Sequence, residues 1–163
     1  MSMDCENQYL GRVGATPLVP VRLRAEQPVI WCKLEFLHPS GSTKDRIARH
    51  ILEKAMGSGR VKKGDRVVEA SSGSSAIALA LACAQFQLKF VAVMPDGVSA
   101  ERIKIIRAYG GEIHLTDRAG GVSGAIAEAA RIAAESGAFA PAQFENPDNP
   151  EAHRLHTAVE VLE

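Results

Sequence analysis

RVVEASSGSSAIALALACAQ, residues 66–85, decides the fold. Its first five residues, RVVEA (66–70), have the β-branched pair and the brevity of a short buried strand. SSGSS (71–75) breaks that run, and an Ala/Leu segment from about 75 to 86 has the composition of a helix. The apolar stretch AIALALACA (76–84) is far too short to span a bilayer and predicts a helix buried on all sides. A buried strand that turns through serines into a buried helix opens a βαβ unit.

The same rhythm continues downstream. FVAVMP (90–95) predicts a second strand. Ser99 suits the N-cap of the next helix, with Glu101 in its first turn and Gly110 closing it. EIHLT (112–116) predicts a third strand. After Gly120 and Gly121, the residues Val122, Ile126, Ala129, Ala130 and Ala133 make a helical stripe, and FAPAQF (139–144) reads as a fourth strand. Strands alternating with helices about every 25 residues imply right-handed crossovers. The expected class is therefore α/β, a parallel twisted sheet with flanking helices.

The two ends of the chain differ from this middle. GATPLVPV reads as a turn leading into an extended segment, and PVIWCKLEF (28–36) as a strand. Near the other end, Asn149 suits a cap and Pro150 the first helical position. Leu155, Val159 and Leu162 then form a stripe still running at Glu163, as in a chain cut inside a helix or a shortened product.

Composition narrows the function classes. Lys+Arg and Asp+Glu both number 19, so no global charge draws the chain to nucleic acid or an anionic membrane. The three cysteines, Cys5, Cys32 and Cys83, are scattered and form no C-x-x-C, which suits reduced thiols in a cytoplasmic protein. MSMDCENQYLGR has no apolar run and is not a signal peptide.

Two stretches carry candidate chemistry. In HPSGSTKDRIA (38–48), Pro39 to Thr43 read as a turn, and Ile47, Ile51 and Ala55 as one face of the helix that follows. Lys44 thus falls in the first turn of a helix, where the peptide dipoles disfavour a protonated amine. Either it is a solvated lysine offset by Asp45, or it is a nucleophile that condenses with a carbonyl compound or pyridoxal phosphate. The second stretch is the SSGSS turn. At the carboxyl end of a parallel strand it is either an ordinary capped connection or a cradle of N–H groups and hydroxyls for an anion.

Other sites do not fit. GSTKD has the elements of a Walker A loop in the wrong order, and SSGSSA has a single glycine where a dinucleotide fingerprint needs three. His153 and His156, three apart on an expected helix, can share a face but have no acidic or cysteine partner at ligand spacing, so they read as surface histidines. His38, His50 and His114 are isolated, and no metal set is assigned. No Ser-His-Asp arrangement or glycosidase carboxylate pair can be picked out.

Taken in order, GATPLV, KLEFLHPSGSTKDR, VVEASSGSSAIALA, MPDGVSAERIKIIRAYGGEIHLT and QFENPDNPEAH resemble the cysteine synthase (O-acetylserine sulfhydrylase) family of fold-type II pyridoxal-phosphate enzymes. The likeness runs from about Gly11 to Glu163 and leans toward the B-type sulfhydrylases. It implies that Lys44 carries pyridoxal phosphate and later serves as the base at the substrate Cα. It implies that Ser71, Ser72, Gly73 and Ser75, with Gln143, hold the substrate carboxylate. Ser74 falls where the family has an asparagine against the cofactor ring, and a hydroxyl offers no amide donor there.

The resemblance implies residues 1–44 as an arm of the large domain, 45–150 as the small domain, and 151–163 as the start of a helix returning to the large one. The family's phosphate-cradling loop lies in its second half. The implied reaction is cysteine synthesis from O-acetylserine and sulfide. The alternatives are another β-replacement or elimination (cystathionine synthesis, desulfhydration, serine/threonine dehydration) or a degenerate paralogue that binds an anion or a protein. The implied partners are a small amino-acid substrate, sulfide or a thiol, and a second copy in a homodimer, with no nucleic acid and no membrane.

Overall fold

A computed structural model describes residues 5–163. Strands β3 (Arg66–Ala70), β4 (Lys89–Pro95) and β5 (Glu112–Thr116) form a parallel sheet in the order β3-β4-β5. They follow an antiparallel hairpin of β1 (Leu18–Val21) and β2 (Ile30–Lys33), which is a separate sheet. Strand β4 is central, and Phe90 to Met94 are all buried, as expected of a parallel strand covered on both faces.

Alternation along the strands sends neighbouring residues to opposite layers. Val67, Ala92 and Met94 join the core built with α2 (Lys44–Gly57) and α3 (Ser74–Gln85), including Leu52, Ala55, Leu79 and Phe86. Val68, Ala70, Val91 and Val93 join Ala125 and Ala129 of α5 (Gly121–Ser136). Helix α4 (Ala100–Ala108) contributes Ile106 to the first layer. Helix α3 is nearly enclosed: Ala76, Ala78, Leu79, Ala80, Ala82 and Cys83 are buried, and its exposed residues are Ser74 at the start and Ala84 near the end. The short α1 (Cys5–Leu10) caps this core with Tyr9, whose ring meets Phe86 edge-on at 6.4 Å. Among the described residues, Cys32 and Cys83 are free thiols, and no helix is long and apolar enough to cross a membrane.

Four local expectations are corrected. FAPAQF (139–144) is not a strand. One parallel bridge joins Phe139 to Val67, and the run then ends because Pro141 has no N–H to donate and Ala142 adopts φ +49°. On α5, Ala125 and Ala129 are buried while Val122 and Ile126 are 55% and 37% exposed. The positions facing the sheet most closely are held by these alanines, with Ile132 packed at the edge of the same cluster, and Val122 and Ile126 lie toward the rim. PVIWCKLEF (28–36) yields strand for Ile30–Lys33 only, followed by a 3-10 turn at Glu35–Leu37.

The last correction concerns the final helix, α6 (Asp148–Ala152), which continues through a wide π turn at His153–Thr157 into α7 (Ala158–Leu162). It starts two residues before the expected site. Asn146 supplies the start, its side-chain oxygen accepting the Asp148 N–H at 2.9 Å. Asn149 and Pro150 therefore lie inside the first turn.

A buried guanidinium fastens these ends to the core. Arg46 of α2 is 2% exposed. It donates to Glu35 at 2.7 and 2.9 Å and to Glu160 at 2.7 Å on both oxygens. Lys33 reaches Glu160 at 2.6 Å, and Ala15 N–H donates to the same carboxylate at 3.0 Å. Burial alone would raise the pKa of Glu35, but hydrogen bonds from Arg46 and Thr16 hold it down at about 2. Hydrogen bonds from Arg46 likewise hold Glu160 below the usual carboxylate range. Carboxylates with depressed pKa values stabilise the fold above their unfolded values, and that stability fades as pH falls through the folded ones.

Denaturant titration is therefore expected to show stability falling from about pH 5 toward pH 2. Arg46→Ala, which takes the guanidinium from both carboxylates and leaves Glu160 with Lys33 alone, is expected to cost about 3–5 kcal/mol at pH 7 and to flatten that acid slope.

Candidate active site

Lys44 sits where the local sequence placed it, as the first residue of α2. The turn before it is tightly specified. Gly41 takes φ +83°, which a glycine adopts without strain, and its N–H donates to the His38 carbonyl at 2.8 Å. His38 is buried. Its Nδ1 lies 3.0 Å from the Ser42 carbonyl and its Nε2 accepts the Gly14 N–H at 3.1 Å. These contacts select the tautomer protonated on Nδ1 and pin the arm to the lysine turn.

Asp45 does not offset the Lys44 charge. It is fully buried and turns back to Ser40, accepting from that residue's N–H at 3.2 Å and from its hydroxyl. Burial pushes the Asp45 pKa up, and the bonds from Ser40 oppose that shift. The solvated pair expected as one alternative is absent, and the amine is left half-buried at the edge of a cleft.

That cleft brings together nearly everything the sequence singled out. Lys44, Ser71, Ser72, Gly73, Ser74, Ser75 and Gln143 line one solvent-open cavity of about 280 Å³, with Val93, Pro95, Val122 and Phe144 as its apolar walls. It lies at the carboxyl ends of β3 and β4, where ligands bind in parallel sheets. Ser71 shapes the serine turn: its N–H donates to Val93 O at 3.0 Å, and its hydroxyl accepts the N–H groups of Gly73 and Ala76 at 3.3 and 3.2 Å. Among the described residues, the N–H groups of Ser72, Ser74 and Ser75 donate to no protein group. They are the free donors of a helix start. A Cβ placed on Gly73 would meet nothing within 4 Å, so packing within the chain does not demand glycine there and the space stays open. Gln143 closes one side, its Oε1 accepting from the Ser75 hydroxyl at 2.6 Å and its Nε2 donating to Ala70 O at 3.3 Å.

Two residues near the cleft carried no sequence signal that singled them out. His153 was expected at the surface. It is half-buried in the π turn with Nδ1 2.9 Å from the Thr157 hydroxyl, and burial first, then the positive charges of Lys44 and Arg46, lower its pKa. Glu69, one residue before the serine turn's flank, is buried without a cation. The local pattern gave it as one more strand position. His156, by contrast, is exposed, as expected.

His50, Asp148 and Glu151 bring ligand atoms within 4.8 Å of one another, a grouping no spacing rule revealed. The ammonium of Lys54 already bonds Asp148 at 2.5 Å and Glu151 at 2.7 Å, so the cluster reads as an ion-pair clasp between α2 and α6.

Comparison with known proteins fits this geometry. A family described as "Pyridoxal-phosphate dependent enzyme" matches residues 9–163. The chain belongs to that family. Its cofactor is pyridoxal phosphate, and the residues present suit the reactive end of that group: an amine, free N–H donors and an open floor at Gly73. Cysteine synthase of Staphylococcus aureus (strain Mu50 / ATCC 700699) is 43% identical over 153 residues, covering 93% of this chain and 49% of the relative. The crystal structure of O-ureido-L-serine synthase superposes with TM-score 0.89 at 41% identity, covering 94% of this chain and 49% of that one. A hydrogen sulfide-producing enzyme from Fusobacterium nucleatum gives 0.88 at 39% identity, with coverage of 96% and 53%. This pyridoxal-phosphate family member thus spans about half the length of the relatives it matches.

The Asp45 contact can be tested on its own. Asp45→Ala strands the Ser40 N–H in the lysine turn and is expected to cost about 1–3 kcal/mol, read as a lower denaturant midpoint with unchanged slope.

Proposed function

We propose that this chain carries the lysine-bearing half of a pyridoxal-phosphate enzyme for β-replacement on a small amino acid. The favoured reaction converts O-acetylserine and sulfide to cysteine and acetate. The convergence of Lys44, the Ser71–Ser75 turn and Gln143 on one cleft supports it, because an amine, free N–H donors and an amide from segments far apart in sequence face one open space. In this proposal Lys44 anchors the cofactor. The free N–H groups at Ser72, Ser74 and Ser75 and the Gln143 amide hold the substrate carboxylate, and Ser74 faces the cofactor.

When bound, pyridoxal phosphate supplies the electron sink that acidifies the substrate Cα–H and lets the β-substituent leave. The chain's own work is positional. Helix α3 presents its N-terminus to the carboxylate, which fixes the substrate against rotation. The Lys44 amine, held at the start of α2, takes the Cα proton. The apolar walls at Val93, Val122 and Phe144 limit water beside that proton. In the net reaction the Cβ–O bond breaks, acetate leaves, and a Cβ–S bond forms.

A different β-replacement or an elimination is the second reading. It is favoured by the similarity to O-ureido-L-serine synthase and to a hydrogen sulfide-producing enzyme, together with the hydroxyl of Ser74 in the cleft. The domain scheme is likewise a proposal: 45–150 as a small domain, with 1–44 and 151–163 packing against the further length that relatives carry. Trp31, Phe36 and Leu37 on the arm, and Leu155, Val159 and Leu162 on the last helix, are exposed apolar residues that suit such cover. A homodimer acting in the cytoplasm completes the proposal.

Adding pyridoxal phosphate to the chain, reducing with borohydride and mapping peptides is expected to place the pyridoxyl mass on Lys44. Lys44→Ala should lose that peptide while keeping its far-ultraviolet dichroism. Labelling of another lysine at equal yield would overturn the assignment.

A further inference from the structure

We propose that Glu69 is the positioning residue for the carboxylate end of the cleft, fixing the backbone at Ala142 and Gln143 and through it the amide that faces Ser75. It rests on the carboxylate site proposed above and adds the group that holds its outer wall.

Glu69 is 3% exposed at the end of β3. A buried carboxylate is costly unless something satisfies it, and no cation contributes to its surroundings. Backbone donors satisfy it instead: Ala70 N–H at 2.9 Å on one oxygen, Gln143 N–H at 3.1 Å on the other, and the N–H of Ala142.

The geometry of the 142–143 turn explains why an acid is needed. Ala142 sits at φ +49°, a left-handed conformation that costs a residue with a Cβ about 1–2 kcal/mol. Successive N–H groups around such a residue converge on one side and form a concavity that favours an anion. Glu69 supplies that anion from within the chain. The turn it holds is the one that aims Gln143, whose carbonyl is steadied by Asn149 Nδ2 at 2.9 Å and whose side chain spans Ser75 and Ala70. An apolar side chain at position 69 would fill the space and leave the turn without its acceptor.

Burial pushes the Glu69 pKa up to about 7, against the pull of its backbone donors. Protonation turns one acceptor oxygen into a hydroxyl, so the grip on the turn weakens as pH falls through that value. Other titratable groups here are few. Glu145 shares a cavity of about 210 Å³ with Glu69, to which α5 contributes Ile126, Ala129 and Ala130, and Lys44 is the charged group of the neighbouring cleft.

The test uses the full chain, labelled with nitrogen-15, and L-serine as the carboxylate probe. The backbone and side-chain amides of Gln143 are expected to titrate together near pH 7. Glu69→Gln should abolish that titration, and Glu145→Gln should leave it in place. At pH 8 L-serine, read at the Ser72, Ser74 and Ser75 amides, should bind Glu69→Gln about tenfold more weakly than wild type. Gln143 amides that ignore pH in the wild type overturn the proposal, as does a folded Glu69→Gln protein with wild-type Gln143 shifts or L-serine affinity. Should L-serine fail to bind wild type, the carboxylate site itself is refuted, while the Gln143 titration still decides the role of Glu69.

Discussion

The close seating of an alanine-rich helix between a sheet and a second helix is what the rest of this structure depends on. Helix α3 is enclosed on the β4 side and the α2 side at once, and that is possible because most of its buried positions are alanine. Larger side chains would push α2 away from the sheet. With α2 and α3 in one core, their starting turns open on the same edge of the sheet, and Lys44 comes to share a cleft with the serine turn. The site is thus a consequence of packing density in a layer that itself carries no chemistry.

Around that core, charged groups hold strained or loosely structured backbone in place. Glu160 accepts the N–H of Ala15 and Glu69 accepts that of Gln143; Ala15 and the residue before Gln143, Ala142, are both left-handed at φ +49°. The two carboxylates differ in how they are compensated. Glu160 is paired with Arg46 and Lys33 and stays strongly acidic, whereas Glu69 has backbone donors alone and becomes a weak acid. An ion-paired group makes a permanent fastening in the neutral range. A group held by neutral donors makes one that responds to protons.

The cleft sets hydrogen-bond donors against a mostly apolar wall. Its donors are backbone N–H groups fixed by the helix start, so they need no reorganisation when an anion arrives. Its cation is a lysine in a turn specified by Gly41, His38 and Asp45, none of which faces the cleft. Reactive side chains gain precision from neighbours that only shape the backbone.

Much of this was legible in the residues alone. Short apolar runs gave β3, β4 and β5, alanine-rich composition and cap residues gave the helices between them, and turn chemistry put Lys44 at a helix start and a serine turn at a strand end. Those signals are local, carried by residues within about four positions of one another. FAPAQF kept the apolar look of a strand, yet Pro141 and the turn at Ala142 end its pairing after one bridge, and an apolar count does not register a missing N–H. On α5 the stripe was right in period but rotated, so that Ala125 and Ala129 face the sheet while Val122 and Ile126 lie toward the rim. The meeting of residues 44, 71–75 and 143, the burial of Arg46 and Glu69, and the half-buried setting of His153 belong to tertiary structure. Each depends on which distant segment comes to lie alongside, and chain order holds no distance between segments until they pack.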